Sequence, residues 1–111
     1  MEIKWQSSSK LDKRSLYKHT RGSSTSLKDV DDGTVIDPAE IVIYEDTNSK
    51  GETNTITSIM DVSGQHFTTN SKFFREELGK IWEIMEGEAF QIIVRKNVSK
   101  AGRTFVTCEL F

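Results

Sequence analysis

The stretch Asn70-Ser71-Lys72-Phe73-Phe74-Arg75-Glu76-Glu77-Leu78-Gly79-Lys80-Ile81-Trp82-Glu83-Ile84-Met85-Glu86 decides how the chain is read. Phe74, Leu78, Ile81, Trp82 and Met85 fall at i, i+4, i+7, i+8 and i+11, one continuous stripe on an α-helix. Asn70 or Ser71 supplies an N-cap oxygen, and Glu76 and Glu77 sit near the positive end of the helix dipole. Gly87 is a suitable C-terminal cap. Gly79 costs about 1 kcal/mol relative to Ala, which fits a point of close packing.

Strand signals lie on both sides of this helix. Ile41-Val42-Ile43-Tyr44-Glu45-Asp46 is a run of branched and aromatic residues. Asn48–Glu52 is a loop, Thr53–Val62 a returning strand, Ser63-Gly64 a turn, and His66–Thr69 a short third strand. After the helix come Phe90–Val98, a hairpin loop at Ser99–Arg103, and Thr104–Phe111. The order β-β-β-α-β-β predicts an all-β protein with one helix: a five-stranded Greek-key barrel whose helix plugs one end between strands three and four.

The rest of the chain is less regular. Residues 1–26 are rich in Ser and Lys and read as a partly flexible basic arm or as the first strand, and Leu16–Thr20 has strand character. The first strand begins near Leu16 or near Leu27, with Asp31-Asp32-Gly33 as a turn signal and Pro38 in a connection. No repeat or long linker divides residues 1–111, so a single domain is expected. A chain of this length buries roughly 65% of its unfolded surface. Hydrophobic content of 35% against 29% charged residues implies much solvated loop and edge. No run of 18 apolar residues is present, which argues against a membrane span. The N-terminus lacks the apolar core of a secretory signal, and Cys108 is the single cysteine; a reducing cytoplasm is expected.

The net charge of −2 conceals a strong segregation. Lys10–Lys28 holds six bases to one acid, Asp31–Val62 one base to eight acids, and Phe90–Phe111 four bases to one acid. Polyanion binding depends on local cationic patches rather than on the total.

Catalytic chemistry finds little support. His19 and His66 are far apart in sequence, and one Cys with two His does not make a zinc site. A Cys108–His66 pair is conceivable, but Cys108 reads as a small core residue. There is no phosphate-cradling glycine loop, and Asp29–Asp37 lacks calcium-loop spacing. Glu76-Glu77 lies on a helix surface. No enzyme activity, metal or cofactor is expected.

Single-strand binding chemistry fits better, since it needs cations for phosphates and aromatic faces for bases. Arg95, Lys96, Lys100 and Arg103 cluster around the last hairpin, and Phe105 shares a strand face with Arg103 if the strand is regular. Lys13, Arg14, Tyr17, Lys18, His19 and Arg21 form a second basic run with interleaved aromatic rings. Alternation places Tyr44 opposite Ile43, towards the outer face. Each of these has an ordinary alternative: a solvated hairpin, a basic arm, a surface tyrosine. Trp5 is either a stacking residue or an anchor, and Trp82 belongs to the core stripe.

The segment Ile41–Leu110 resembles the small single-stranded-DNA-binding proteins of bacteriophages that infect Gram-positive bacteria. The residues that carry this are His66-Phe67-Thr68-Thr69-Asn70-Ser71-Lys72 and Ser99-Lys100-Ala101-Gly102-Arg103-Thr104-Phe105-Val106-Thr107-Cys108-Glu109-Leu110. The resemblance implies an OB-fold and sequence-tolerant binding of single-stranded DNA in phage replication or recombination, in the host cytoplasm. It also implies a homo-oligomer, dimer or tetramer, with replication or recombination proteins as further partners. Cellular members of the wider group end in a flexible acidic tail, whereas Cys108–Phe111 reads as strand. On this reading phosphates are held by Lys13, Arg14, Lys18, Arg21, Arg95, Lys96, Lys100 and Arg103, and bases stack on Tyr17, Tyr44 and Phe105. The rivals are an OB-like protein-interaction module for a host or phage partner, and a nuclease accessory using Asp31 or Asp32.

Overall fold

In the computed structural model, which describes residues 1–111, the expected helix is α2 (Lys72–Met85). Its N-cap is Ser71, whose hydroxyl accepts from the Phe74 N–H at 3.2 Å and donates to the Val106 carbonyl at 2.5 Å. Glu86, rather than Gly87, takes the C-cap position in the left-handed region at φ 48°.

The strands around it are also present: β4 (Pro38–Thr47), β5 (Thr53–Asp61) and β6 (His66–Thr69) before the helix, β7 (Ile92–Val98) and β8 (Thr104–Leu110) after it. Four further elements precede them: β1 (Glu2–Gln6), α1 (Lys13–Arg21), β2 (Thr25–Ser26) and β3 (Val35–Ile36). The fold is therefore mostly β with two helices, not one. Residues 13–21, expected as an arm or strand, form a helix; Pro38, expected in a connection, opens β4, where a first strand residue needs no ladder N–H.

One sheet runs β1-β4-β5-β6-β2 and the other β3-β7-β8. Only Asp37 separates β3 from β4, so the stretch Val35–Thr47 passes from one sheet into the other. The expected closed barrel is corrected to two open sheets, since no ladder joins β6 to β8. Part of the reason is local: β6 has only four residues, and it pairs with β5 on one side and with the two-residue β2 on the other. The hydroxyl of Ser71 reaching Val106 is the hydrogen bond that spans this seam.

The core lies between the sheets and α2. Register places Ile41 opposite Ile59 and Ile59 opposite Phe67 on one wall. Ile92, Val94, Val106 and Cys108 form the other wall, and Phe74, Leu78 and Ile81 cover it from α2. Each of the larger buried aliphatic or aromatic side chains contributes about 1.5–3 kcal/mol. Trp5 is an anchor: its ring meets Trp82 edge-on at 5.0 Å and fixes β1 to α2.

The opposite face of the first sheet carries α1. The Asp12 carboxylate caps the helix by accepting from the Ser15 N–H at 2.8 Å. Gly22 ends it, and a Cβ there would stand 2.7 Å from the Lys18 carbonyl oxygen. A single buried side chain, His19, fastens α1 to the sheet through Ser58 Oγ at 2.8 Å and Glu40 Oε1 at 2.9 Å. The His66 ring packs edge-on against it at 4.9 Å.

Candidate nucleic-acid interface

Where the two sheets fail to join, a groove opens. One part, of about 400 Å³, runs between the β6–α2 junction (Asn70, Ser71, Lys72, Phe73) and the start of β8 (Thr104, Phe105), with Lys28 and Lys96 at its side. A second part, of about 210 Å³, is lined by Ser26, Ile56 and Thr68. Both parts share Lys28, Thr69 and Asn70, so they form one continuous depression.

Its parts are set by the local fold. Lys96 alternates with Val94 and Ile92 along β7, which directs its stem to the inner side of that sheet. Its Nζ donates to the Lys28 carbonyl at 2.7 Å, and its backbone N–H donates to Asp32 Oδ1 at 2.8 Å, so the Lys28 loop is strapped to β7. Phe73 lies beside Phe74 but off the helix stripe, and it is 56% exposed. Its ring meets that of Phe105 at 4.7 Å with a 41° tilt. Lys72 reaches Glu76 at 3.7 Å in an exposed pair that leaves its ammonium hydrated. The floor offers the hydroxyls of Ser26, Thr68 and Thr69. Three ammonium groups, an exposed aromatic pair and a row of hydroxyls can hold phosphates, stack bases and meet sugars.

Two of the sequence-predicted residues, Lys96 and Phe105, line this groove. Lys100 and Arg103 are exposed on the hairpin loop, which is closed by the Ser99 N–H donating to the Arg103 carbonyl at 2.8 Å. Arg103 stands immediately before β8, two residues from Phe105. Arg95 is bound in ion pairs, to Asp32 at 3.8 Å and Glu109 at 3.4 Å, and does not line the groove.

Lys13, Arg14, Tyr17, Lys18 and Arg21 are exposed on α1, Tyr17 at 64%. Gly22–Ser24 leads directly from α1 into β2, whose Ser26 lines the groove, and Ser24 Oγ lies 3.2 Å from Thr68 Oγ1. The C-terminal end of α1, which carries Arg21, thus leads towards the groove through β2.

Tyr44 is corrected. It does lie opposite Ile43, but it is 5% exposed, because the face it shares with Glu40 and Val42 is the one α1 covers. Burial raises its hydroxyl pKa, Asp46 adds to this, and Arg21 opposes it. In this state its ring is not open to a base. Lys28, Lys72 and Phe73 were not singled out by sequence reasoning. The usable signal was Phe73, a large aromatic just off a helix stripe, next to Lys72.

The Asp32 carboxylate has a structural role, and Asp31 contributes its backbone carbonyl. The Asp31 carbonyl accepts from the Thr34 hydroxyl, and Asp32 holds Lys96 and Arg95. Cys108 makes no pair with His66. Its Sγ lies 3.9 Å from the Phe74 carbonyl, and burial pushes the thiol up to about 12.

A family model described as phage single-stranded DNA-binding protein, of the phi29 type, matches residues 5–111. The chain belongs to that family. The match takes in α1 and β2 as well as the strands behind the resemblance, so the basic helix of this phage single-stranded DNA-binding family member lies within the matched region. No curated protein and no solved structure matches the chain. No helix in this family member is long and apolar enough to cross a membrane.

Proposed function

We propose that this protein binds single-stranded DNA along the groove between β6–α2 and β8, without catalysis and with little regard to sequence, in phage DNA replication or recombination. The observation that carries the reading is the joint presence of Lys28, Lys72 and Lys96 with the Phe73–Phe105 pair in a member of this family. Ring faces stack on any base, and ammonium groups contact phosphates common to all sequences, so tolerance of sequence follows. Lys100, Arg103 and the α1 bases extend the cationic track at either end, and Tyr17 adds an exposed ring. The bent stretch β3–β4, the β4–β6 meander, α2 and the β7–β8 hairpin support reading the architecture as an opened OB-like fold. Self-association as dimer or tetramer belongs to the same reading, with exposed Val98, Leu110 and Phe111 available for it. The test is a polarisation titration of labelled oligo-dT across salt concentrations. Salt-sensitive binding is expected; no binding at low salt and micromolar protein overturns the reading.

A further inference from the structure

A second depression, of about 240 Å³, lies on the other side of α2, away from the groove. Its wall is apolar, built from Trp5, Ile41, Ile43, Leu78 and Trp82. Two features of this wall are not explained by folding. The first is Gly79, on the pocket side of α2. A glycine weakens a helix interior, yet a Cβ here would meet no atom within 4 Å, so no close contact requires it. What its missing side chain provides is room over the apolar wall. The second is Arg75. α2 carries three bases: Lys72 pairs with Glu76 at 3.7 Å, Lys80 pairs with Glu77 at 3.9 Å, and half-buried Arg75 makes no ion pair. A guanidinium left unpaired at the rim of an apolar pocket is matched to a carboxylate, which it can grip through two parallel hydrogen bonds.

We propose that this pocket receives a large apolar side chain of a partner protein, with a neighbouring carboxylate of that partner held by Arg75. The site is independent of the DNA groove. A nucleic acid is the poorer occupant, because a phosphate chain needs successive cations. This rim offers one cation, on a helix whose Glu76, Glu77 and Glu83 equal its bases in number. Trp5 and Trp82 are the only tryptophans of the chain, so indole emission reports on this pocket directly.

The experiment titrates the full chain with capped pentapeptides containing Asp-Phe, Asn-Phe or Asp-Ala, read by tryptophan emission and calorimetry. Saturable binding of the Asp-Phe peptide is expected. It should weaken at least tenfold for the Asn-Phe and Asp-Ala peptides and in Arg75→Gln, and disappear in Gly79→Leu, which fills the pocket. Oligo-dT affinity should stay within twofold in both variants. Absence of a saturable response at millimolar Asp-Phe peptide, with oligo-dT still bound, overturns the pocket and leaves the groove intact. Quenching of the tryptophans by oligo-dT, together with a tenfold loss of oligo-dT affinity in Arg75→Gln, also overturns it, by making the pocket part of the DNA track. Peptide binding without oligo-dT binding removes the groove reading instead.

Discussion

The rings of Phe73 and Phe105 meet at 4.7 Å, joining the second residue of α2 to the second residue of β8 across the seam between the sheets. Because Phe73 keeps more than half its surface exposed, the pair presents a ring face to the groove rather than closing a core. Phe73→Ala and Phe105→Ala should each weaken oligo-dT binding by about 1–3 kcal/mol. The double variant should lose less than the sum, because the rings support each other. Polarisation titrations at fixed salt measure all three.

Tyr44 should behave differently from either phenylalanine. Its ring is buried beneath α1, so Tyr44→Ala should cost about 3–5 kcal/mol of folding stability through the cavity it leaves. Tyr44→Phe keeps the packing and should leave oligo-dT affinity unchanged. Denaturant melts and titrations on the two variants separate packing from stacking.

Salt dependence should distinguish the groove lysines from Arg95. Three phosphate contacts by Lys28, Lys72 and Lys96 would give a slope of log affinity on log salt of about −2, and the α1 and hairpin bases would steepen it. Replacing any one groove lysine by Gln should flatten the slope by about 0.7. Arg95→Gln should leave it unchanged, since Arg95 does not line the groove.

The anchor of α1 should make stability fall in mild acid. Burial lowers the pKa of His19 below its usual 6.5; His66 also lowers it, while Glu40 opposes the shift. The unfolded chain then takes up a proton that the folded chain resists, so the unfolded state binds more protons below pH 6.5. Stability contributed by neutral His19 is complete above pH 6.5 and is lost as the pH falls from there towards its folded value. Urea melts between pH 7.5 and 5 should show this decline. His19→Gln, less stable at pH 7.5, should show less of it.

The buried thiol gives a kinetic check on the core. With its pKa near 12 and only 2% exposure, Cys108 should be inert to an aromatic disulfide reagent in the folded protein. Labelling should proceed at the rate of unfolding, and rapid labelling of native protein would contradict the packing of β8 on α2.

The elements legible in the sequence are those whose burial imposes a period. The stripe from Phe74 to Met85 and the branched run at Ile41–Tyr44 must keep their spacing to reach the core, and they appear where expected. α1 has no such stripe. Its one buried residue is a histidine whose partners, Glu40 and Ser58, lie 21 and 39 positions away. The local signals are the Asp12 cap and a polar segregation, with Ser15, Leu16, His19 and Thr20 on one face and the bases on the other, which an apolar-stripe reading passes over. That omission carried over to Tyr44, whose face could be read but whose cover could not. β2 and β3 have two residues each and exist only through pairing with β6 and β7. The groove was half legible for the same reason. Lys96 and Phe105 stand in a visible basic hairpin, but Lys28, Lys72 and Phe73 join them only through the long-range approach of α2 to β8.

The unsealed seam between β6 and β8 also bears on how a polymer gets in. A closed ring must be threaded from a free end, whereas a cleft open along one side admits a strand sideways. Bound as proposed here, a covalently closed circular single strand should load as fast as a linear one of equal length. Sideways entry would make internal gaps in a strand as open to the protein as its ends.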